Sequence, residues 1–231
     1  MDFLKVKGII FDVHKTLVDD SGFPRDRIWR LIKQSGIHFD LDEYYILYDT
    51  LTREFFNWPE INPFITVREV HRKRLMRIYQ HFNVDRNIDQ DLSYLWKCMS
   101  TSRIYPEVPE VLKAISKKFK MALLSNADKD DPLIQILLTR GFAFDTIVTS
   151  HQIKRYKPDP NIFYFTLEQM RLKRDEVIMV GDSPISDIKG AKNAGIKISW
   201  VNRKKVPLSD QFPEPDFQIQ NLKELLKLIT N

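Results

Sequence analysis

At 231 residues, with 43% hydrophobic and 29% charged side chains, the chain is long enough for a sizeable core and too apolar to be disordered. One cysteine excludes an internal disulfide framework, and no stretch is long and apolar enough to span a bilayer. The net charge of +5 is spread over interspersed acids and bases, which suits attraction of phosphate-bearing molecules and comes with no nucleic-acid motif.

The first apolar run is short, follows no secretory layout and ends at Asp12, so a cytoplasmic setting is expected. Gly8-Ile9-Ile10-Phe11 reads as a buried parallel strand that delivers Asp12 at its C-terminal edge, where open α/β sheets place ligands. Helical spacing then takes over. Pro24 precedes Ile28, Leu31 and Ile32, and Gly36 ends that helix. Asp40 with Glu43, and Thr66 with Glu69, have capping-box spacing. Val67, Val70, Leu75, Ile78 and Phe82 mark one further helix, and Leu92, Leu95, Trp96 and Met99 another. The basic run His71-Arg72-Lys73-Arg74 is expected on a solvated face, and Cys98 among packing residues. No strand is expected between Leu17 and about Thr101, so a helical block of about 80 residues interrupts the core, within the ordinary domain size. A lid over the Asp12 strand end is its expected role.

Beyond Pro106 strands and helices alternate. Met121-Ala122-Leu123-Leu124, Thr146-Ile147-Val148-Thr149, Val177-Ile178-Met179-Val180 and Lys197-Ile198-Ser199-Trp200-Val201 read as strands. Helices are expected after Asp131-Pro132, Asp159-Pro160 and Pro184, with a last one from Leu222 to Ile229. Lys204 to Pro215 reads as a surface connection. The pattern predicts an α/β fold, a doubly wound parallel Rossmann-like sheet with an inserted all-helical domain. The expected boundaries are 1–17 and 102–231 for the core and 18–101 for the insertion.

Polar residues collect at the strand ends: Asp12 with His14 and Thr16, Ser125-Asn126, Lys157, and Asp182 with Asp187. A parallel sheet brings such ends side by side. In this order, together with Lys157-Pro158-Asp159-Pro160-Asn161-Ile162-Phe163 and Gly181-Asp182-Ser183 followed by Asp187-Ile188-Lys189-Gly190-Ala191, they resemble the haloacid dehalogenase (HAD) superfamily hydrolases with a helical cap of the first type. The resemblance implies Asp12 as the nucleophile, with Ser125 and Asn126 on the transferring phosphoryl oxygens. It also implies charge neutralisation by Lys157 and a Thr16 that orients the first loop. Mg²⁺ would be held by Asp12, Asp182, the His14 backbone carbonyl and Asp187, the last directly or through water.

Phosphatases of the superfamily carry an Asp where this chain has His14; dehalogenases lack that Asp, and Arg155-Tyr156-Lys157-Pro158 and Trp200-Val201-Asn202-Arg203 resemble their segments. Electrostatics weighs the other way. A near-dianionic phosphate monoester approaching a carboxylate needs a cation, and Asp182 and Asp187 would repel each other and Asp12 without one. The expectation is therefore Mg²⁺-dependent hydrolysis of a small phosphate monoester through an aspartyl-phosphate. A 2-haloacid dehalogenase and a catalytically degenerate binding protein remain as alternatives. His14 is either the acid/base, since imidazole exchanges protons near neutrality, or a spacer. The expected partner is a small phosphorylated metabolite, with no nucleic acid or membrane, for a monomer or homodimer. Tyr44, Tyr45, Tyr48, Arg53, Phe55, Phe56, Asn57 and Trp58 form an aromatic stretch that either lines a pocket or fills the lobe core.

Overall fold

The structure, a computed structural model, describes residues 5–20, 22–55 and 63–230. Phe56, Asn57, Trp58, Pro59 and Asn62 lie outside the described residues. The chain divides into two units, Met1–Asp19 with Arg103–Asn231, and Asp20–Ser102.

In chain order, β1 (Gly8–Phe11) is followed by the two-residue β2 (Val18–Asp19). Among the described residues of the second unit there are four helices: α1 (Arg25–Gln34), α2 (Leu41–Phe55), α3 (Val67–His81) and α4 (Ile88–Met99). The first unit resumes with β3 (Arg103–Ile104), α5 (Val108–Ile115), β4 (Lys120–Ser125), α6 (Pro132–Thr139), β5 (Thr146–Thr149), α7 (Ser150–Ile153) and α8 (Pro160–Met170). Then come β6 (Val177–Gly181), a π-helical turn (Pro184–Lys189), α9 (Gly190–Asn193), β7 (Lys197–Val201), β8 (Phe217–Ile219) and α10 (Leu222–Thr230).

Among the described residues six strands form one sheet in the order β5-β4-β1-β6-β7-β8, every pair parallel. β1 is central because its four residues are apolar or glycine and buried on both faces, which only a strand covered on both sides tolerates. Its register fixes the site: Phe11 lies opposite Leu123 of β4 and Val180 of β6, so the three strands end along one edge, with β4 and β6 running slightly beyond β1. Under the sheet, Ile10, Leu124, Met179, Phe163, Ile188 and Trp200 belong to one buried cluster. Gly190 belongs to this contact: a Cβ there would come within 2.6 Å of the Phe163 ring. The two signature stretches that contain these residues therefore meet face to face.

Two features escaped the periodicity. β2 and β3 pair antiparallel over Val18–Ile104 and Asp19–Arg103, an element of two residues a side that exists through its partner and has no pattern of its own. β8 is a three-residue strand beside β7 whose only apolar buried residue is Ile219.

The helical unit has its own core of Ile28, Leu31, Ile32, Tyr44, Tyr48, Leu51, Leu75, Ile78 and Leu95. Its helices start where the caps lie: Thr66 Oγ1 accepts from Glu69 N at 3.1 Å, and Asp40 Oδ1 from Asp42 N and Glu43 N at 2.7 and 3.1 Å. Tyr44 and Tyr48 are core residues, and the Tyr44 hydroxyl donates to Arg25 O at 2.7 Å. Arg74 corrects the expected solvated face. It is buried, with its guanidinium 4.4 Å from the Tyr48 ring centroid and bonded to Thr52 Oγ1 and His71 Nδ1. The reason is helical geometry, since 70, 74 and 78 fall on one stripe and Val70 and Ile78 are core. No helix of the described residues is long and apolar enough to cross a membrane.

Candidate active site

The site is built on the shared C-terminal edge of β4, β1 and β6. Asp12 is the first residue past β1, and its amide donates to Val180 O at 2.9 Å, so the chain leaves the sheet with its backbone still held. Ser125 ends β4, and Gly181 ends β6 and hands over to Asp182. Lys157 comes from the loop before α8. It is 1% exposed, and its Nζ donates to Asp12 Oδ1 at 2.7 Å, Asp187 Oδ1 at 2.6 Å and Leu124 O at 3.0 Å. All three ammonium protons thus have acceptors, the condition for burying a lysine. Burial by itself would pull the Lys157 pKa down, but Asp12 and Asp187 outweigh it and hold it above its ordinary value.

Asp187 is fully buried in the π-helical turn. Its second oxygen accepts from Ser183 N at 2.9 Å, and Ser183 Oγ accepts from Ser186 N at 3.1 Å, so the widened turn grips its own entry. Burial raises the Asp187 carboxyl against the pull of Lys157, and the nearby Asp12 raises it further. Gly181 is required here, because any Cβ at that position would run into the Asp187 carboxylate, which is held on both oxygens and has nowhere to turn.

Asp12, Asp182 and Asp187 each offer a carboxylate oxygen within 4.8 Å of the others. This set fits a small hard dication: the donors are all oxygens, close enough for one ion to contact at least two, with water completing the shell. The Asp182 backbone is braced separately, its carbonyl accepting from the buried Trp200 Nε1 at 2.8 Å.

The remaining expected residues divide by their partners. Thr16 Oγ1 and Ser125 Oγ are buried and have no hydrogen-bond partner among the described residues. The Asn126 amide is engaged with the main chain of Lys157, accepting from its N at 2.7 Å and donating to its O at 3.0 Å. Asn126 therefore sets the position of Lys157, a role that resemblance alone did not suggest. His14 follows β1 in a turn, with its side chain 31% exposed and its Nε2 3.4 Å from Asp131 Oδ2, an ion-pair distance longer than a good hydrogen bond. Asp131 is read in the sequence only as a cap for α6, and it is one: its Oδ1 accepts from Leu133 N at 2.9 Å and Ile134 N at 3.2 Å. Its second oxygen faces the imidazole, and a capping pattern gives no sign of that.

The chain belongs to the haloacid dehalogenase-like hydrolases, whose family profile matches residues 6–195. Among named relatives, N-acylneuraminate-9-phosphatase of Mus musculus is 28% identical over 99% of this chain and 96% of its own length. Among solved structures, the magnesium-bound HAD-hydrolase YfnB from Bacillus subtilis shares the fold with a TM-score of 0.79 at 19% identity, covering 98% of this chain and 100% of that one. The L-2-haloacid dehalogenase from Xanthobacter autotrophicus gives 0.78 at 20% identity, over 97% of this chain and 98% of that one. At these identities both structures speak to the fold alone.

Proposed function

We propose that the chain is a Mg²⁺-dependent phosphatase that hydrolyses a small phosphate monoester through an aspartyl-phosphate on Asp12. The observation that carries this reading is the charge of the edge. Asp12 and Asp187 share the single charge of Lys157, so that trio alone carries one net negative charge where a substrate must bind, and the Asp182 carboxylate lies within reach of the same ion. A haloacid site has no use for that excess, whereas a phosphoryl site filled by a dication does. The relatives named as phosphatases over nearly the full chain support the same reading.

In the first step the free Asp12 oxygen attacks phosphorus, the bond to the leaving oxygen breaks, and that oxygen takes a proton from His14. In the second step water attacks the phosphorylated Asp12, His14 takes its proton, and phosphate leaves with Asp12 restored. Asp12 and Asp182 would hold the ion with the His14 carbonyl, and Asp187 would keep Lys157 and Ser183 in place. When bound, the ion supplies positive charge against the phosphoryl oxygens. The Ser125 hydroxyl suits a phosphoryl oxygen, and Thr16 steadies the loop. The helical unit, 18–101 as read from the sequence, would act as the cap that selects the substrate, and the single cysteine suits a cytoplasmic setting.

Two assays decide the class. Phosphate release from p-nitrophenyl phosphate should require added Mg²⁺ and vanish with a chelator, while chloroacetate should yield no halide. Halide release without metal would replace this reading with the dehalogenase, and inactivity in both assays would favour a binding protein.

The Asp131 carboxylate behind the His14 imidazole supports the acid/base role. A carboxylate there favours a proton on Nε2 and leaves Nδ1 to exchange protons with leaving group and water. His14→Ala and Asp131→Asn should each slow an alkyl phosphate, whose leaving oxygen needs a proton. The expected loss is about a hundredfold or more for His14→Ala and less for Asp131→Asn. The nitrophenyl ester, whose leaving group departs as an anion, should be slowed far less in its first step. Unchanged turnover of the alkyl ester in His14→Ala would reduce His14 to a spacer.

A further inference from the structure

Arg203 lies just past β7, outside every position that the reaction uses, yet it is bonded to the loop that follows the nucleophile. Its Nη2 donates to Thr16 O at 2.8 Å and its Nε to Lys15 O at 3.2 Å. Its Nη1 donates to Glu107 Oε1 at 2.7 Å, and its guanidinium carbon lies 3.5 Å from the Tyr105 ring centroid. The side chain is 18% exposed, so these contacts are largely shielded from water.

The loop has an internal frame, and Arg203 completes it. Leu17 N and Val18 N both donate to Val13 O, at 3.0 and 3.1 Å, and Lys15 N donates to Val18 O at 2.8 Å. Lys15 itself sits at φ 54°, in the left-handed region that a non-glycine residue adopts only when its surroundings hold it there. Folding the turn this way directs two consecutive carbonyls, Lys15 O and Thr16 O, to the same side. A planar guanidinium spans such a pair, whereas an ammonium on a flexible stem meets them one at a time. Tyr105 and Glu107 hold the far side of the fork, and Tyr105 N donates to Leu17 O at 3.1 Å.

We propose that Arg203 is a positioning residue of the active site, a clasp that holds the 13–18 turn in the shape that sets the amides after Asp12, the His14 side chain and the Thr16 hydroxyl. The proposal rests on the phosphatase reading for its effect on rate, though the clasp itself is a statement about the loop. It gives a physical role to the Trp200-Val201-Asn202-Arg203 stretch: from one strand end Trp200 braces the carbonyl of Asp182 while Arg203 braces the loop of Asp12. The two loops that supply the site's acids are thus fixed from β7.

Arg203→Lys keeps the charge and removes the fork; Glu107→Gln keeps the fork and removes the ion pair. Each full-length variant is compared with the unaltered protein by kcat and KM for p-nitrophenyl phosphate with Mg²⁺, by thermal midpoint, and by hydrogen exchange of the segment 13–18. Arg203→Lys should lower kcat/KM about ten- to a hundredfold, the scale for a loop displaced by a fraction of an ångström to one ångström. Exchange in the turn should quicken at the same time. Glu107→Gln should lose far less, because the guanidinium keeps its bonds to both loop carbonyls and a Gln oxygen can still accept from Nη1. Unchanged exchange in Arg203→Lys, faster exchange with undiminished turnover, or equal losses in the two variants would overturn the proposal. An unaltered protein that releases no phosphate would remove the phosphatase reading, and exchange alone would then decide the clasp.

Discussion

Asp12→Asn is expected to abolish turnover and leave the fold intact. The amide oxygen is too weak a nucleophile to attack phosphorus, so the aspartyl-phosphate cannot form. The loss should reach about four orders of magnitude or more, the scale for removing a nucleophile. Stability should move little, because the charge balance improves. Asp12, Asp187 and Lys157 together carry one net negative charge in a nearly dry site, and the substitution makes the trio neutral. Asn can still offer its oxygen to Lys157 Nζ, now 2.7 Å from Asp12 Oδ1. Removing Asp12 also relieves one of the influences that raise the Asp187 carboxyl. Steady-state phosphate release and a thermal midpoint measure both halves. Residual turnover above about a hundredth of the original would place the nucleophile elsewhere.

The core sheet was legible because its strands are buried on both faces and read as unbroken apolar runs. Ile9-Ile10-Phe11 and Val177-Ile178-Met179-Val180 have no other reading once the intervening helices are seen. The site was legible for a related reason: a parallel sheet turns the ends of such runs into one edge, so Asp12, Ser125 and Asp182 converge by topology. The residues that were not legible act through atoms that a sequence does not display. Asp131 shows a capping pattern, and it is the fold that brings its second oxygen to face His14. Arg203 acts on backbone carbonyls, which every residue has, so no spacing marks its targets. The Asn126 side chain bonds the main chain of Lys157, a backbone target left unmarked for the same reason. Arg74 was misjudged through the company it keeps: a basic run suggested a wet face although its own position falls on the buried stripe.

Lys157→Met is expected to be as inactive as Asp12→Asn and, unlike it, to be markedly less stable. Methionine matches the length of the lysine stem and fills the same buried path, so packing is nearly conserved. What disappears is the one cation between Asp12 and Asp187, with its bonds at 2.7 and 2.6 Å and a third to Leu124 O at 3.0 Å. Two carboxylates then face each other without a counter-charge, one of them fully buried, and a carbonyl at the end of β4 loses its donor. Breaking a buried pair from one side costs about 3–5 kcal/mol. For a chain of this size that lowers the midpoint by roughly 10 °C. The pair of variants tests the electrostatics without reference to any substrate. If charge governs the cluster, removing a negative member leaves the midpoint nearly unchanged and removing the positive member lowers it. Equal destabilisation by both would mean that packing, and not the balance of two acids on one lysine, holds the edge of the sheet together.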